Sequence, residues 1–222
     1  MEQKKTAIIL GATGLTGNIL LKKLLTDNRY KKVKLFSRNS VNLQHEKIEE
    51  HLIDLFELEN YQDLFNGDEV FCCVGSTQKK TPDNEVYKKV DYGIPLTAAK
   101  LAKKNNIQKF VVISALGANA ESKFFYNKTK GEMENAVLQQ KIEETYILRP
   151  SLISGKRKEK RPFEFLWKQV MKLANFLMCG PLKKFRSIHP NYIADAMIFL
   201  ANNSYSKTII ESEEIKKIAS KN

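Results

Sequence analysis

Tyr126 and Lys130 stand four residues apart in "YNKTK", the spacing that puts two side chains on one face of a helix. An ammonium in that position lowers the tyrosine's pKa from about 10, so the pair can exchange a proton with a carbonyl or hydroxyl near neutral pH. The lysine can also hold a nicotinamide ribose. Ser114, in "VVISALGA", offers a hydroxyl that could polarise a substrate carbonyl and steady its developing charge. Ser122 is its rival, and a strand-terminal serine that only caps backbone is the plainer alternative.

Spacing alone is weak evidence. With 8 tyrosines and lysine at roughly one position in seven, about one chance match is expected, and Tyr30 with Lys34 supplies one. Tyr30, however, opens the second expected strand. Tyr126 follows the fifth, on a helix expected to line the C-terminal edge of a parallel sheet, where ligands bind.

That edge needs a phosphate-binding turn, and "LGATGLTGN" at 10–18 supplies the residue types. A strand that turns at once into a helix aims free N–H groups and a positive dipole end at one point, which suits a pyrophosphate. By the usual roles Gly11 makes the tight turn, Gly14 lets the diphosphate approach and Gly17 lets the helix pack against the strand. Gly11, Thr13, Gly14, Leu15, Thr16 and Gly17 are therefore the expected cofactor loop. The spacing is one residue looser than G-x-G-x-x-G, and a plain strand-to-helix turn is the alternative.

In "LFSRN" Ser37 and Arg38 replace the acid that would accept the ribose 2′-OH of NAD, and arginine pairs with a 2′-phosphate, so NADP(H) is favoured over NAD(H). Asp54, with Leu55 behind it, closes the third strand at the adenine edge, or caps a helix starting near Phe56. "FCCVGST" ends the fourth strand, and Cys73, Val74 and Gly75 should run along the cofactor's ribose and phosphates. Cys73 reads as packing, since no partner that would lower its pKa stands beside it.

The elements that must carry these residues are short apolar runs at 7–10, 33–36, 70–74, 110–113 and 146–148, with a further short strand in 47–54. Helical patterns at about 15–27, 56–65, 84–105 and 124–141 separate them. This alternation predicts an α/β, Rossmann-like, doubly wound and mainly parallel sheet with helices on both faces. After Pro150 a loop, helices at about 162–178 and 190–202, a strand and a final helix are expected. Residues 1–222 read as a single domain, with about 151–222 contributing a small C-terminal cap on the substrate side.

A chain of 222 residues with 42% hydrophobic and 28% charged residues suits one globular core. No apolar stretch approaches the roughly 18–20 residues of a membrane span, and no signal peptide is visible. Cys72, Cys73 and Cys179 read as free thiols in a reducing cytoplasm. His45, His51 and His189 lack metal-ligand spacing, so no metal is expected, and His189 before Pro190 reads as structural. The net charge of +12 rests almost wholly on scattered lysines, which indicates a solvated surface rather than a specific nucleic-acid interface. The densest cluster, "GKRKEKRP" at 155–162, reads as a basic loop near an anionic ligand.

Taken in order, "GATGLTG", "FCCVGST", "YNKTKGE" and "ILRPS" resemble the atypical short-chain dehydrogenase/reductase family, in particular the branch containing the Tat-interacting oxidoreductase-like protein. The double cysteine and "RPFEFL" point to that branch, and the likeness covers nearly the whole chain. The resemblance implies a Rossmann domain holding NADP(H), Tyr126 and Lys130 in the family's tyrosine and lysine positions, and Ser114 near its serine. It also implies that Pro150, Ser151, Leu152 and Ile153 embrace the nicotinamide carboxamide, with Ser151 where a glycine is usual.

The expected function is an NADP(H)-dependent oxidoreductase for a small carbonyl or alcohol. A non-catalytic NADP(H)-binding redox regulator with a protein partner, a nucleotide-sugar epimerase- or dehydratase-like enzyme, and a nonspecific nucleic-acid binder are the alternatives. The chain is shorter than the extended epimerases, which favours a small substrate. A monomer or weak homodimer without a membrane partner is expected, because the helices on which many relatives dimerise carry lysine-rich faces here.

Overall fold

Strands at Lys5–Leu10 (β1), Tyr30–Ser37 (β2), Ile48–Leu52 (β3), Glu69–Cys72 (β4), Lys109–Ile113 (β5), Glu144–Arg149 (β6) and Ile209–Glu211 (β7) form one sheet. This is a computed structural model that describes residues 4–77, 79–154 and 185–221. The strand order is β3-β2-β1-β4-β5-β6-β7, and every neighbouring pair is parallel. The chain therefore starts in the middle, builds outward through β2 and β3, and returns to place β4 on the other flank of β1. The strand order reverses there, which opens a crevice above the strands' C-terminal ends.

Helices Leu15–Thr26 (α1), Asn84–Lys88 (α2), Ile94–Lys104 (α3), Phe125–Leu138 (α4), Pro190–Asn202 (α5) and Ser212–Ala219 (α6) flank the sheet. Alternate strand residues feed two separate cores, as a sheet covered on both faces requires. Ala7, Ile9, Val33, Leu35, Phe71 and Val111 pack with Leu20, Leu21 and Leu24 of α1 and with Ile193, Met197 and Leu200 of α5. Ile8, Leu10, Phe36, Val70, Cys72 and Val112 pack with Ala98, Ala99 and Leu101 of α3 and with Met133 and Val137 of α4. The doubly wound α/β architecture is the expected one.

Two differences from the sequence reading have physical causes. The stretch at 56–65 is a 3-10 helix, Leu55–Tyr61, broken by a non-helical Glu57. The long helix expected at 84–105 is α2, a π-helical turn at Lys89–Gly93 and then α3. Pro95 has no N–H to give to the carbonyl four residues back and its ring crowds that carbonyl, so the ladder slips and Ile94 N–H bonds Lys89 O instead. Past Pro150, residues 190–219 add β7 to the sheet and α5 and α6 to one of its helical layers. The helix expected at about 162–178, the basic run at 155–162 and Cys179 lie outside the described residues.

Candidate functional site

β1 ends in a turn that only glycine allows. Gly11 has φ +84°, and a Cβ there would stand 2.9 Å from the carbonyl carbon and oxygen of Cys73. Gly17 sits one helical turn into α1 with its α-carbon on the Gly11 carbonyl, where a Cβ would approach to 2.2 Å. The close contact is thus helix on turn, not the helix-on-strand contact read from sequence. Gly14 donates its N–H to Gly11 O at 3.0 Å and is the N-cap of α1. It brings no capping side chain, and the first turn holds no acid. Thr13 and Gly14 are exposed, Leu15 is half-buried and Thr16 is buried. An uncapped helix start, open on its ligand side and free of negative charge, is a cradle that fits a diphosphate.

At the end of β2, Ser37 is buried and donates its hydroxyl to Asn39 O at 2.8 Å. Arg38, the next residue, is exposed and has no ionic partner among the described residues. Ile53 N–H bonds Ser37 O, which brings Asp54 beside this corner. The Asp54 carboxylate accepts from Phe56 N–H at 3.0 Å and caps the 3-10 helix, while Leu55 is buried beneath it.

The end of β4 joins the glycine turn to the tyrosine–lysine helix. Cys73 N–H bonds Leu10 O, and its half-buried thiol lies 3.9 Å from Met197 Sδ. Burial pushes the Cys72 thiol up to about 11 and raises Cys73 as well, the opposite of an activated nucleophile. Val74 is buried, and a Cβ on Gly75 would stand 3.4 Å from Asp91 Oδ1 and 3.8 Å from Lys130 Nζ. Lys130 is buried in α4 and pairs with Asp91 at 2.7 Å, and Asp91 also accepts Ser76 N–H at 2.7 Å. Tyr126, one turn before Lys130, is 38% exposed at the start of α4.

Asp91 and Tyr87 are the residues that sequence reasoning missed. The Tyr87 ring stands 6.3 Å from that of Tyr126 and 5.7 Å from that of Phe125. Its hydroxyl is buried beside Asp91 with no well-formed hydrogen bond among the described residues; burial first, then the charge of Asp91, holds its proton well above the ordinary tyrosine range. The available signal was a lone acid between apolar neighbours in "KKVDYGIP", four residues before a proline.

The rival pair, Tyr30 and Lys34, is structural. Tyr30 opens β2 at the far edge of the sheet, where its hydroxyl bonds buried Glu69 and accepts from Asn202 Nδ2. Lys5 bonds Glu69 and Asn202 in the same cluster. Lys34 holds Leu64 O and Asn66 Oδ1.

Ser114 is buried at the end of β5, and its hydroxyl donates to Glu134 Oε1. Arg149 grips the same carboxylate through Nε and Nη2 and reaches Glu211 at 3.4 Å, so this proton serves a link between β5, α4, β6 and β7. Glu134 raises the Arg149 pKa above its ordinary value. Arg149→Met strands a nearly fully buried carboxylate, at a cost of about 3 kcal/mol, and a melting temperature lower by roughly 6–12 °C is expected. An unchanged melting temperature would show that the pair carries no stability. Ser122 is half-buried, and its hydroxyl accepts from Phe124 N–H at 3.1 Å.

Beyond β6, Pro150 O accepts Leu116 N–H, and Ile153 pairs with Ile188. Ser151 is buried, with its hydroxyl on Arg186 O and 2.9 Å from Ser212 Oγ. A glycine there could not make this three-way tie. Leu152 is half exposed. His189 caps α5 through Nδ1, a structural role. No cluster of metal-binding side chains and no helix long and apolar enough to cross a membrane occurs among the described residues.

Residues 11–154 match the NAD(P)H-binding protein family. Protein HTATIP2 of Rattus norvegicus is 35% identical over 74% of this chain and 69% of its own length. Protein FMP52, mitochondrial, of Meyerozyma guilliermondii is 31% identical over 96% of this chain and 94% of its own. Among solved structures, a UDP-N-acetylglucosamine 4-epimerase from Methanobrevibacter ruminantium M1 superposes with a TM-score of 0.71 at 19% identity, covering 94% of this chain and 76% of that one. Bordetella bronchiseptica WbmG in complex with NAD gives 0.70 at 15% identity, with 99% and 77% covered. These distant structures share the fold. With the glycine turn, the strand order and the two closer relatives in agreement, the chain belongs to the NAD(P)H-binding family, alongside HTATIP2 and the FMP52 proteins.

Proposed function

We propose that this protein is an NADP(H)-dependent oxidoreductase of the short-chain dehydrogenase/reductase type that acts on a small carbonyl or alcohol. One observation carries the reading. The Gly11 turn rests on the backbone of Cys73 and Val74, and the next residue, Gly75, lies beside Lys130 Nζ, so a diphosphate cradle and a buried ammonium are joined through three consecutive residues. In this reading Gly11, Thr13, Gly14, Leu15, Thr16 and Gly17 hold the diphosphate, and Asp54 and Leu55 flank the adenine. Cys73, Val74 and Gly75 follow the ribose and phosphates, and the backbone from Pro150 through Ser151 and Leu152 to Ile153 holds the carboxamide. When bound, the nicotinamide supplies or accepts a hydride at the substrate carbon.

Lys130 orients the cofactor's ribose, and Tyr126 gives or takes the substrate oxygen's proton. Ser114 stands near this pair in the family pattern, but its proton lies on Glu134. Polarising the substrate therefore requires that bond to open, or Ser122 to supply the hydroxyl.

Arg38 makes the cofactor preference testable. An exposed guanidinium next to Ser37, with no acid paired to it among the described residues, suits a 2′-phosphate. NADPH should raise the melting temperature clearly and NADH little, since a ligand that binds only the native state stabilises it. Arg38→Ala should weaken NADPH about tenfold and leave NADH unchanged. Equal shifts with both nucleotides in the unaltered protein would remove the NADP preference; no shift with either would remove the cofactor. Steady NADPH oxidation with any of a panel of carbonyl compounds separates an enzyme from a binding-only redox regulator.

We further place the protein in a reducing compartment, which its free thiols Cys72 and Cys73 suit, and take this to be the cytoplasm. The yeast relatives are named as mitochondrial proteins, and cell fractionation distinguishes the two sites. We propose a monomer or weak homodimer with a small-molecule substrate and neither a membrane nor a specific nucleic acid as partner.

A further inference from the structure

We propose that Asp91 is a positioning residue of this site, setting where the Lys130 ammonium stands relative to the glycine turn after β4. The inference rests on the nucleotide-binding reading above. Asp91 is fully buried, with one carboxylate oxygen on Lys130 Nζ and the other on Ser76 N–H, both at 2.7 Å. A single carboxylate therefore ties α4 to the backbone of the β4 turn. Gly75 lies against the same pair, where any side chain would press on it, since even a Cβ would reach Asp91 Oδ1 at 3.4 Å.

Burying two charges is costly, and an apolar pair of similar volume often serves stability as well. The pair's distinctive contribution is geometric: it fixes where the Lys130 ammonium stands beside the β4 turn.

The backbone is shaped for this purpose. Asp91 lies in the π-helical turn Lys89–Gly93 that Pro95 imposes. In a continuous α-helix the side chains before the slip would sit about 100° further round relative to α3. The slip is what lets α3 pack on the sheet while Asp91 faces Lys130. Tyr87 closes the far side, its buried hydroxyl beside Asp91 and its ring against Phe125 and Tyr126 at the start of α4.

The test is the affinity of the full chain for two nucleotides, NADPH and adenosine 2′,5′-bisphosphate, which lacks the nicotinamide half. Asp91→Asn should weaken NADPH by about tenfold or more, the value of a charge-assisted hydrogen bond to the ribose, and change the bisphosphate by less than about twofold. Equal losses for both ligands would show a merely structural role and overturn the proposal.

A second arm holds even where Asp91→Asn alone folds poorly, because Asp91→Asn with Lys130→Gln leaves two neutral amides and no stranded charge. Against Lys130→Gln alone, the double variant should lose no further NADPH affinity, since Asp91 acts through the lysine. An additional loss would overturn it. Failure of the underlying reading looks different: the unaltered chain then binds neither nucleotide, and this proposal falls with it.

Discussion

Gly17→Ala is expected to lower stability by about 3 kcal/mol or more and to abolish nucleotide binding with it. The added methyl would stand 2.2 Å from the Gly11 carbonyl oxygen, 2.9 Å from its carbon and 3.1 Å from the Ala12 α-carbon. All three are backbone atoms, so no side-chain rotation relieves the clash. Gly11 cannot retreat, because its own α-carbon faces the backbone of Cys73 and Val74. Relief must come from lifting α1 away from the sheet, which opens the contacts of Leu20, Leu21 and Leu24 with the core. Thermal melting checks the stability and nucleotide titration of the folded fraction checks the site. An unchanged melting temperature would show that α1 moves aside at no cost and that the tight turn is not required.

Tyr126→Phe is expected to reduce turnover by about a hundredfold to ten-thousandfold, the usual range for a positioned proton donor. NADPH affinity should hardly change. Phenylalanine keeps the ring that stands near Tyr87, so the variant tests the hydroxyl while the ring contact remains. Turnover on the best carbonyl of the panel, alongside NADPH titration of the same preparation, separates the two effects. Retention of a tenth of the activity or more would take Tyr126 out of the chemistry and move attention to another donor near Lys130.

The parts of the site readable in the sequence are those where backbone geometry restricts residue type. A turn that tolerates no Cβ shows as glycine, and alternation across a doubly covered sheet shows as short apolar runs, so β1, its turn and the strand sequence were legible. The placement of Tyr126 and Lys130 on one helix at the start of α4 was legible for the same reason of period. What stayed hidden depends on pairs distant in the chain. Glu134 is twenty residues from Ser114, and nothing local marks it as that hydroxyl's acceptor. Asp91 faces Lys130 only because Pro95 slips the helical ladder, and a π turn leaves no hydrophobic period to read. Ser151 stands where the resemblance implies a glycine, and the partners that use its hydroxyl, Arg186 O and Ser212 Oγ, are 35 and 61 residues away in the chain.

The placement of β1 between β2 and β4 sets an order of assembly during synthesis. By residue 52 the ribosome has delivered β1, β2 and β3, which can pair among themselves, while the other edge of β1 stays open until Glu69–Cys72 arrives. Parallel pairing of this kind must wait for distant chain segments and is slow for that reason. The glycine turn rests on Cys73, and its lysine comes still later, at position 130. Nucleotide should therefore bind no early intermediate: NADPH would slow unfolding and leave the refolding rate unchanged, which stopped-flow measurements with and without the nucleotide can read directly.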